Sequence, residues 1–371
     1  MARTVLISIN ASWNILNFRA GLIRSLKNAG YRVLTAAPRD AYTERLAALV
    51  DAHYDLPMDN GGTSPLRDGA LAGRYITLLR ALRPDVMLTY TIKPNIYGTF
   101  AAKLCGVPVI ANVSGLGTSF IRRNWLTSVV KLLYRAAFRY TAHVFFQNAH
   151  DRDLFVALKL IAPEKAGLLP GSGIDLTYFH PSHNIAHTGP LRFVLIARLL
   201  WDKGIAEYVE AARMVKAMHP ETQFHIVGAR GVQNKTAIPD SAIDAWKTEG
   251  IVDYLGETDD IRSILAQHDC VVLPSYREGM SRVLLEAAAM GKPLIASDVP
   301  GCAEVVDAGV NGLLCHVRDA QSLADAMRQC IALTPQARAA MGAASRAKAE
   351  REFDEQRVFS AYLAKIANVI K

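Results

Sequence analysis

The chain has 371 residues, 51% of them hydrophobic, which is material for two cores rather than one. No run of about eighteen apolar residues occurs, so no segment is expected to span a membrane, and Met1 to Ile9 reads as a first strand rather than a signal peptide. The net charge of +8 is concentrated: residues 1–180 carry 21 Lys and Arg against 11 Asp and Glu, the rest 21 against 23, so the front half points to an anionic partner, while no nucleic-acid-binding signature is present.

In chain order, Val5 to Ile9 is strand-like, and the loop after it, Asn10-Ala11-Ser12-Trp13-Asn14, holds no glycine, so a Gly-type phosphate loop is not expected. A helix is expected from Phe18 to Ala29, closed by Gly30; Arg19 on it reads equally as a surface charge or a functional group. Tyr31 to Ala37, Pro84 to Tyr90, Pro108 to Val113 and Val144 to Gln147 read as further strands, and strands alternating with helical stretches argue a parallel sheet with ligands at the C-terminal strand ends. Asn112 to Phe120 follows such a strand. Gly115 and Gly117 beside Ser114 allow close backbone approach to a phosphate, or simply a tight turn.

Arg122 to Tyr140 is a basic amphipathic stretch, with Arg122, Arg123, Lys131, Arg135 and Arg139 against Trp125, Leu126, Val129, Leu132, Leu133 and Phe138. The helix itself is expected to pack on the sheet by its apolar stripe. The basic half as a whole is expected to face an anionic bilayer, where each cation contributes roughly 1 kcal/mol. Residues 170–190, rich in Gly, Pro and Ser, read as a linker; His180, His183 and His187 there lack the setting of a metal site. The five cysteines have no metal-type spacing and are expected to be free thiols.

The second half opens with strand Leu191 to Ile196, after which Arg198 and Lys203 stand five residues apart in a loop that opens a helix at Ala206. An arginine grips phosphate oxygens bidentately and a lysine adds a point charge. Phe224 to Gly228 and Val252 to Ile261 follow. Cys270 to Leu273 is a buried strand, Gly279 marks a tight turn, and Val283 to Met290 is a helix closed by Gly291. Backbone N–H groups at this turn are expected to be unpaired, and Glu278 and Glu286, eight residues apart, to share roughly one helix face. A last helix is expected from about Asp354 to Ile370.

The stretch Pro274-Ser275-Tyr276-Arg277-Glu278-Gly279, with Glu286 at the E-x7-E spacing and Gly291 to Asp298 behind it, resembles the signature of the retaining glycosyltransferases of family 4, which have the GT-B fold. Arg198-x4-Lys203-Gly204 and Gly171 to Asp175 are similar to the family's phosphate-binding element and interdomain turn. Asn14 to Arg19, Ala37 to Thr43 and Gly115-Leu116-Gly117 resemble the branch that builds bacterial surface glycans on lipid carriers, of the N-acetylgalactosaminyltransferase or capsule type. The resemblance implies an α/β protein with two Rossmann-like domains facing a central cleft: residues 1–180 for the acceptor, 188–353 for the nucleotide sugar, and a helix at about 354–371 crossing back to the first.

The same resemblance implies roles. Arg198 and Lys203 stabilise the departing diphosphate, so no metal is required and the UDP-sugar is the only co-substrate. Glu278 and the backbone of Gly279, Met280 and Ser281 hold donor-sugar hydroxyls, Glu286 holds the ribose, and Gly228, Leu255 and Glu257 lie by the base. Asn14, Ser114, Gly115 and Gly117 form the phosphate or acceptor loop; Ser114 or Gly115 stands where many members carry a histidine, so no general base is assigned. The implied function is transfer of a hexose or N-acetylhexosamine from a UDP-sugar to a polyprenyl-diphosphate-linked saccharide, at the inner face of the cytoplasmic membrane, in surface glycan assembly. The alternatives are a UDP-sugar hydrolase or epimerase on the same fold, and a non-catalytic sugar-nucleotide-binding subunit.

Overall fold

A computed structural model describes residues 2–59, 62, 64–116, 125–183, 189–232, 234 and 236–370. The chain divides into two units, Met1–Ser172 with Glu355–Lys371, and Gly173–Asp354.

The first unit holds strands β1 (Thr4–Ser8), β2 (Arg32–Ala37), β3 (Ala52–Asp55), β4 (Val86–Tyr90), β5 (Val109–Val113), β6 (His143–Phe146) and β7 (Ala166–Leu168). They form one parallel sheet in the order β3-β2-β1-β4-β5-β6-β7. Helices α1 (Ser12–Asn28), α2 (Thr43–Ala47), α3 (Pro65–Leu82), α4 (Thr99–Cys105), α5 (Trp125–Phe138) and α6 (Ala149–Ala157) make the crossovers. Alternate strand residues face opposite layers, as the two-residue period requires. Leu6, Met87 and Ala111 pack with Leu71, Tyr75, Phe138 and Phe155 of α3, α5 and α6. Val5, Ile7, Val86 and Leu88 pack with Leu22, Ile23 and Leu26 of α1 and with Val358, Phe359 and Tyr362 of the C-terminal helix.

The second unit repeats the plan with β8 (Arg192–Ile196), β9 (Gln223–Val227), β10 (Asp253–Tyr254), β11 (Cys270–Leu273), β12 (Leu294–Ser297) and β13 (Gly312–Cys315) in the parallel order β10-β9-β8-β11-β12-β13. Its helices are α7 (Ile205–Lys216), α8 (Asp240–Thr248), α9 (Arg262–Gln267), α10 (Arg282–Ala289), α11 (Ala320–Ala332) and α12 (Pro335–Lys348). Phe193, Leu195 and Val272 pack with α7 and α11, while Val194, Val271 and Leu273 pack with α9 and α10.

The last helix, α13 (Glu355–Val369), belongs to the first unit. Tyr362 Oη accepts from Asn112 Nδ2 at 3.0 Å, and Arg3 Nη1 donates to the Ile370 carbonyl at 2.7 Å. In both sheets the order reverses beside the first strand, between β1 and β4 and between β8 and β11, and loops diverge at those points to leave room for ligands.

Two expectations change. Helix α1 begins at Ser12, not Phe18, so Asn14 lies on its first turn rather than in a loop. Arg19 is not a surface charge: it is buried, with its guanidinium 4.3 Å from the centre of the Tyr90 ring, a contact that offsets part of the cost of burying a cation. All five cysteines are free, four of them buried. Gly117, Arg122, Arg123 and His187 lie outside the described residues.

Candidate active site

Three loops at the C-terminal edge of the second sheet build the site, and two glycines let them close on one another. The loop after β8 runs through Arg198 and a single turn at Trp201–Lys203 to Gly204, which adopts φ +72° before α7 starts. A Cβ on Gly204 would lie 2.0 Å from the carbonyl oxygen of Pro274, so only glycine lets this loop meet the one after β11. Tyr276 N donates to the Asp202 carbonyl at 2.9 Å, and Tyr276 Oη to Glu207 Oε1 at 2.7 Å. The loop after β12 closes from the other side. Gly301 has φ +83°, and a Cβ there would stand 2.6 Å from the Glu278 backbone. Glu278 N donates to Pro300 O at 3.2 Å and Ser281 N to Gly301 O at 2.9 Å.

Lys203 Nζ thereby meets Glu278 Oε1 in an ion pair, with the two side chains only 17% and 15% exposed. Lys203 comes from the β8 loop and Glu278 from the β11 loop, so the pair bridges the point where the strand order reverses. Arg198 is exposed and its side chain has no partner among the described residues. The edge thus presents a locked cation–carboxylate pair and, before it in the same loop, a free guanidinium.

Glu286 is on α10 and buried. Burial raises its carboxyl above the usual range, and the Arg282 guanidinium, whose Nε donates to Glu286 Oε1 at 2.8 Å, opposes that shift. Arg282 Nη1 also donates to the Gly173 carbonyl at 3.2 Å. The two glutamates do not share a helix face: Glu278 precedes α10, and each has its own basic partner.

The expectation of unpaired N–H groups at the turn is corrected for Ser281. Its N–H is taken by Gly301 and its hydroxyl accepts from Leu284 N at 3.3 Å, so the residue caps α10. Met280 N has no backbone partner among the described residues. Gly228 is likewise structural. Its N–H donates to Gly256 O at 2.8 Å, its carbonyl accepts from Tyr254 Oη at 2.7 Å, and a Cβ would meet the Ala197 oxygen at 1.9 Å. Leu255 and Glu257 are exposed beside it, with Leu255 N bonded to Ile226 O at 2.9 Å.

Sequence reasoning missed Arg282 and Gly301. Arg282 was marked by its i, i+4 spacing to Glu286, and Gly301 by the Pro300-Gly301 pair after a strand.

On the first unit, Asp40 fills the start of α1: its carboxylate accepts from Trp13 N at 2.9 Å and from Tyr42 N at 2.8 Å. A protein anion therefore occupies the place where a glycine loop would bind phosphate. Asn14 is half-buried one residue on. Ser114 Oγ donates to Asn112 Oδ1 at 3.0 Å, and Gly115 has φ +143°, open to glycine. In the linker, His180 Nδ1 bonds Ser182 Oγ at 2.8 Å and His183 Nδ1 bonds the His180 carbonyl at 2.9 Å; among the described residues no His, Cys, Asp and Glu group is arranged to hold a metal.

Two doubly wound parallel sheets, the second with charged groups gathered where its strand order reverses, are the architecture of the GT-B structures that this chain resembles. Residues 17–171 match the glycosyl transferase 4-like domain and residues 190–332 the glycosyl transferases group 1 domain, about four fifths of the chain together. The chain belongs to this family of glycosyltransferases. It is 29% identical over 332 residues to N,N'-diacetylbacillosaminyl-diphospho-undecaprenol alpha-1,3-N-acetylgalactosaminyltransferase of Campylobacter jejuni, covering 85% of this chain and 86% of that one. It is also 29% identical over 265 residues to UDP-Gal:alpha-D-GlcNAc-diphosphoundecaprenol alpha-1,3-galactosyltransferase of Escherichia coli, 67% of each. The fold is that of Anabaena Alr3699/HepE solved with UDP and glucose (TM-score 0.79, 20% identity, 98% and 99% covered). It is also that of WaaG, a glycosyltransferase of lipopolysaccharide biosynthesis (TM-score 0.74, 16% identity, 96% and 98% covered).

Proposed function

We propose that this glycosyltransferase moves a hexose or N-acetylhexosamine from a UDP-sugar to a polyprenyl-diphosphate-linked saccharide with retention of configuration. The observation that carries the reading is the Lys203–Glu278 pair at the β8/β11 reversal, with the exposed Arg198 five residues earlier in the same loop. Support for the substrates comes from the two relatives named for undecaprenol-diphosphate-linked acceptors, one of them also for UDP-galactose.

In this reading the anomeric C–O bond breaks and UDP departs. Arg198 and Lys203 neutralise its diphosphate, and such placed charges are usually the largest catalytic contribution. The acceptor hydroxyl attacks the same face, and its proton passes to the leaving phosphate oxygen. Glu278 and the Met280 N–H hold donor-sugar hydroxyls, Glu286 holds the ribose, and Leu255 and Glu257 lie by the base. No divalent cation is required. The acceptor belongs to the first unit, near Asn14, Ser114 and Gly115.

Peripheral attachment to an anionic cytoplasmic membrane face is supported by the charge surplus of residues 1–180 and by α5, which leaves Leu132 and Arg135 exposed, with Arg139 exposed just past its end. Among the described residues no helix is long and apolar enough to cross a membrane. The test is a panel of UDP- and GDP-sugars incubated with the protein and membrane lipid extract, read by nucleotide release and lipid-glycan mass. Acceptor-dependent UDP release with a gain of one sugar is expected. Release without a mass gain overturns the transfer reading in favour of hydrolysis or epimerisation, and nucleotide-sugar binding without release favours a binding subunit.

A further inference from the structure

The edge of the second sheet opposite Lys203 and Glu278, where β8, β11 and β12 begin, holds a cavity of about 350 Å³. Leu191, His268, Asp269, Lys292, Arg338 and Ala339 line it, so the strand starts form one wall and the first turns of α12 the other. The two walls are fixed against each other. A Cβ on Gly342 of α12 would stand 2.2 Å from the Gly291 carbonyl oxygen, so the helix lies directly on the turn that presents Lys292.

Lys292 is the unusual member. It is 7% exposed, yet its ammonium makes a single hydrogen bond among the described residues, to the Ala266 carbonyl at 3.4 Å. That is long for such a bond. Asp269 is the one carboxylate in the wall, and it acts on Lys292 only through space; its Oδ2 accepts from Arg192 N at 2.9 Å. Arg192 itself has a buried Nε with no partner. Arg338 is half-buried. Its Nη1 donates to the carbonyls of Cys330, Ile331 and Leu333 around the end of α11, and its Nε and Nη2 have no partner among the described residues. His268 adds neither charge nor a free donor: its Nδ1 donates to the Ile264 carbonyl at 2.6 Å, and its Nε2 then accepts from His225 Nδ1 at 2.8 Å.

A lysine at a helix end ordinarily keeps its head in water, and a buried cation is costly unless a counter-charge meets it. Here the unmet donors of Lys292 and Arg338 border one space. A tetrahedral oxyanion suits them, since an arginine fork takes two oxygens and a lysine adds a point charge. The positive end of α12 acts in the same direction. We propose that this cavity binds a phosphate group, as inorganic phosphate or a small phosphomonoester, between Lys292 and Arg338. The inference is independent of the transferase reading, because it uses no residue of the donor or acceptor sites.

The test is calorimetric titration and thermal melting of the full chain with sodium phosphate at pH 7, against sodium chloride at matched ionic strength. Wild type is expected to gain at least about 3 °C of Tm at saturating phosphate. Lys292→Met keeps the bulk and removes the ammonium; it is expected to fold, to bind phosphate at least about tenfold more weakly and to lose nearly all of that gain. Arg198→Ala, which weakens any phosphate binding at the opposite edge, is expected to keep it. Competition by glycerol 3-phosphate separates an ester ligand from the free ion, and either result supports the site. A gain that persists in Lys292→Met, or vanishes in Arg198→Ala, overturns the assignment, as does a wild-type Tm that phosphate leaves unchanged.

Discussion

Lys203 and Glu278 lie 75 residues apart in the chain and meet as an ion pair between two loops, each loop leaving one of the two strands where the sheet order reverses. Each side chain therefore holds the other's loop in place before any ligand arrives. Breaking a largely buried pair by deleting one partner strands the other charge, at a cost of about 3–5 kcal/mol when burial is complete and less here. Lys203→Ala is expected to lower kcat by at least about 10²-fold and to lower Tm. Glu278→Gln keeps the shape and should lose activity with a smaller Tm change. Wild-type turnover by either variant in the sugar-nucleotide assay removes the pair from the site.

Glu286 gives a pH signature. Burial raises its folded-state pKa above the unfolded value, so the folded protein holds the proton more tightly. Its stability is greatest below the ordinary carboxylate range and falls as pH rises through the folded pKa. Glu286→Gln is expected to be more stable than wild type at pH 7, with the gap closing toward pH 4, at about 2–4 °C of Tm per kcal/mol. The same variant should bind the donor less tightly. Melting curves across pH with parallel nucleotide titration check both effects.

The two glycines that mesh the loops predict a steric result. Gly204→Ala places a Cβ against Pro274, and Gly301→Ala places one against Glu278, each at a positive φ. Both are backbone clashes that no side-chain rotation relieves. Each variant is expected to lose roughly 1–3 kcal/mol or more of stability and to raise the donor KM. Gly250→Ala, also at positive φ but with open space around it, serves as the control and should lose stability without touching donor binding.

Lys292 is nine-tenths buried, in the wall of a cavity of about 350 Å³ shared with His268, Asp269 and Arg338, and burial holds its amine down to about 8. A lysine that binds its proton less tightly when folded destabilises the fold fully below that value. The penalty fades as pH rises toward 10.5, the ordinary lysine value. Lys292→Met is expected to raise stability at pH 7 by up to roughly 3 kcal/mol. The gain should shrink above pH 8, as read by denaturant unfolding at several pH values.

Transfer without a divalent cation is the last expectation. EDTA should leave the initial rate of UDP release within about twofold of the untreated enzyme, since two basic side chains supply the charge a metal would otherwise bring. A rate that collapses on chelation and returns with Mg²⁺ refutes that role for Arg198 and Lys203.

Much of the fold is legible in the sequence because short apolar runs such as Val5 to Ile9 and Cys270 to Leu273 alternate with amphipathic stretches, and that alternation has few packed solutions. Helix α1 was harder to delimit. Its first turn, Ser12-Trp13-Asn14, is polar enough to resemble a loop, and what makes it helical is the Asp40 carboxylate arriving from 27 residues away. Arg19 stays open between a surface charge and a functional group for the same reason: nothing near it in sequence announces the Tyr90 ring. The charged residues of the site were visible at family spacings, but their pairing was not. Glu278 with Lys203 depends on two glycines that reveal their purpose only once Pro274 and the Glu278 backbone stand against them. Ser281 shows the converse, where a local motif suggests a free N–H and a distant carbonyl takes it.

The placement of α13 in the first unit bears on how the protein is made. Asn112 waits for Tyr362, and Arg3 for the carbonyl of Ile370, across a separation of 367 residues. As the chain leaves the ribosome, the second unit is synthesised whole while the first still lacks the helix that covers Val5, Ile7 and the buried Arg19 layer. The nascent first unit thus exposes an apolar sheet face throughout that interval, about 40 s at the slower rates of synthesis of about 5 residues per second. A stop codon at position 355 would make that exposure permanent, yielding a product with an intact second unit and a first unit destined for chaperones or aggregation.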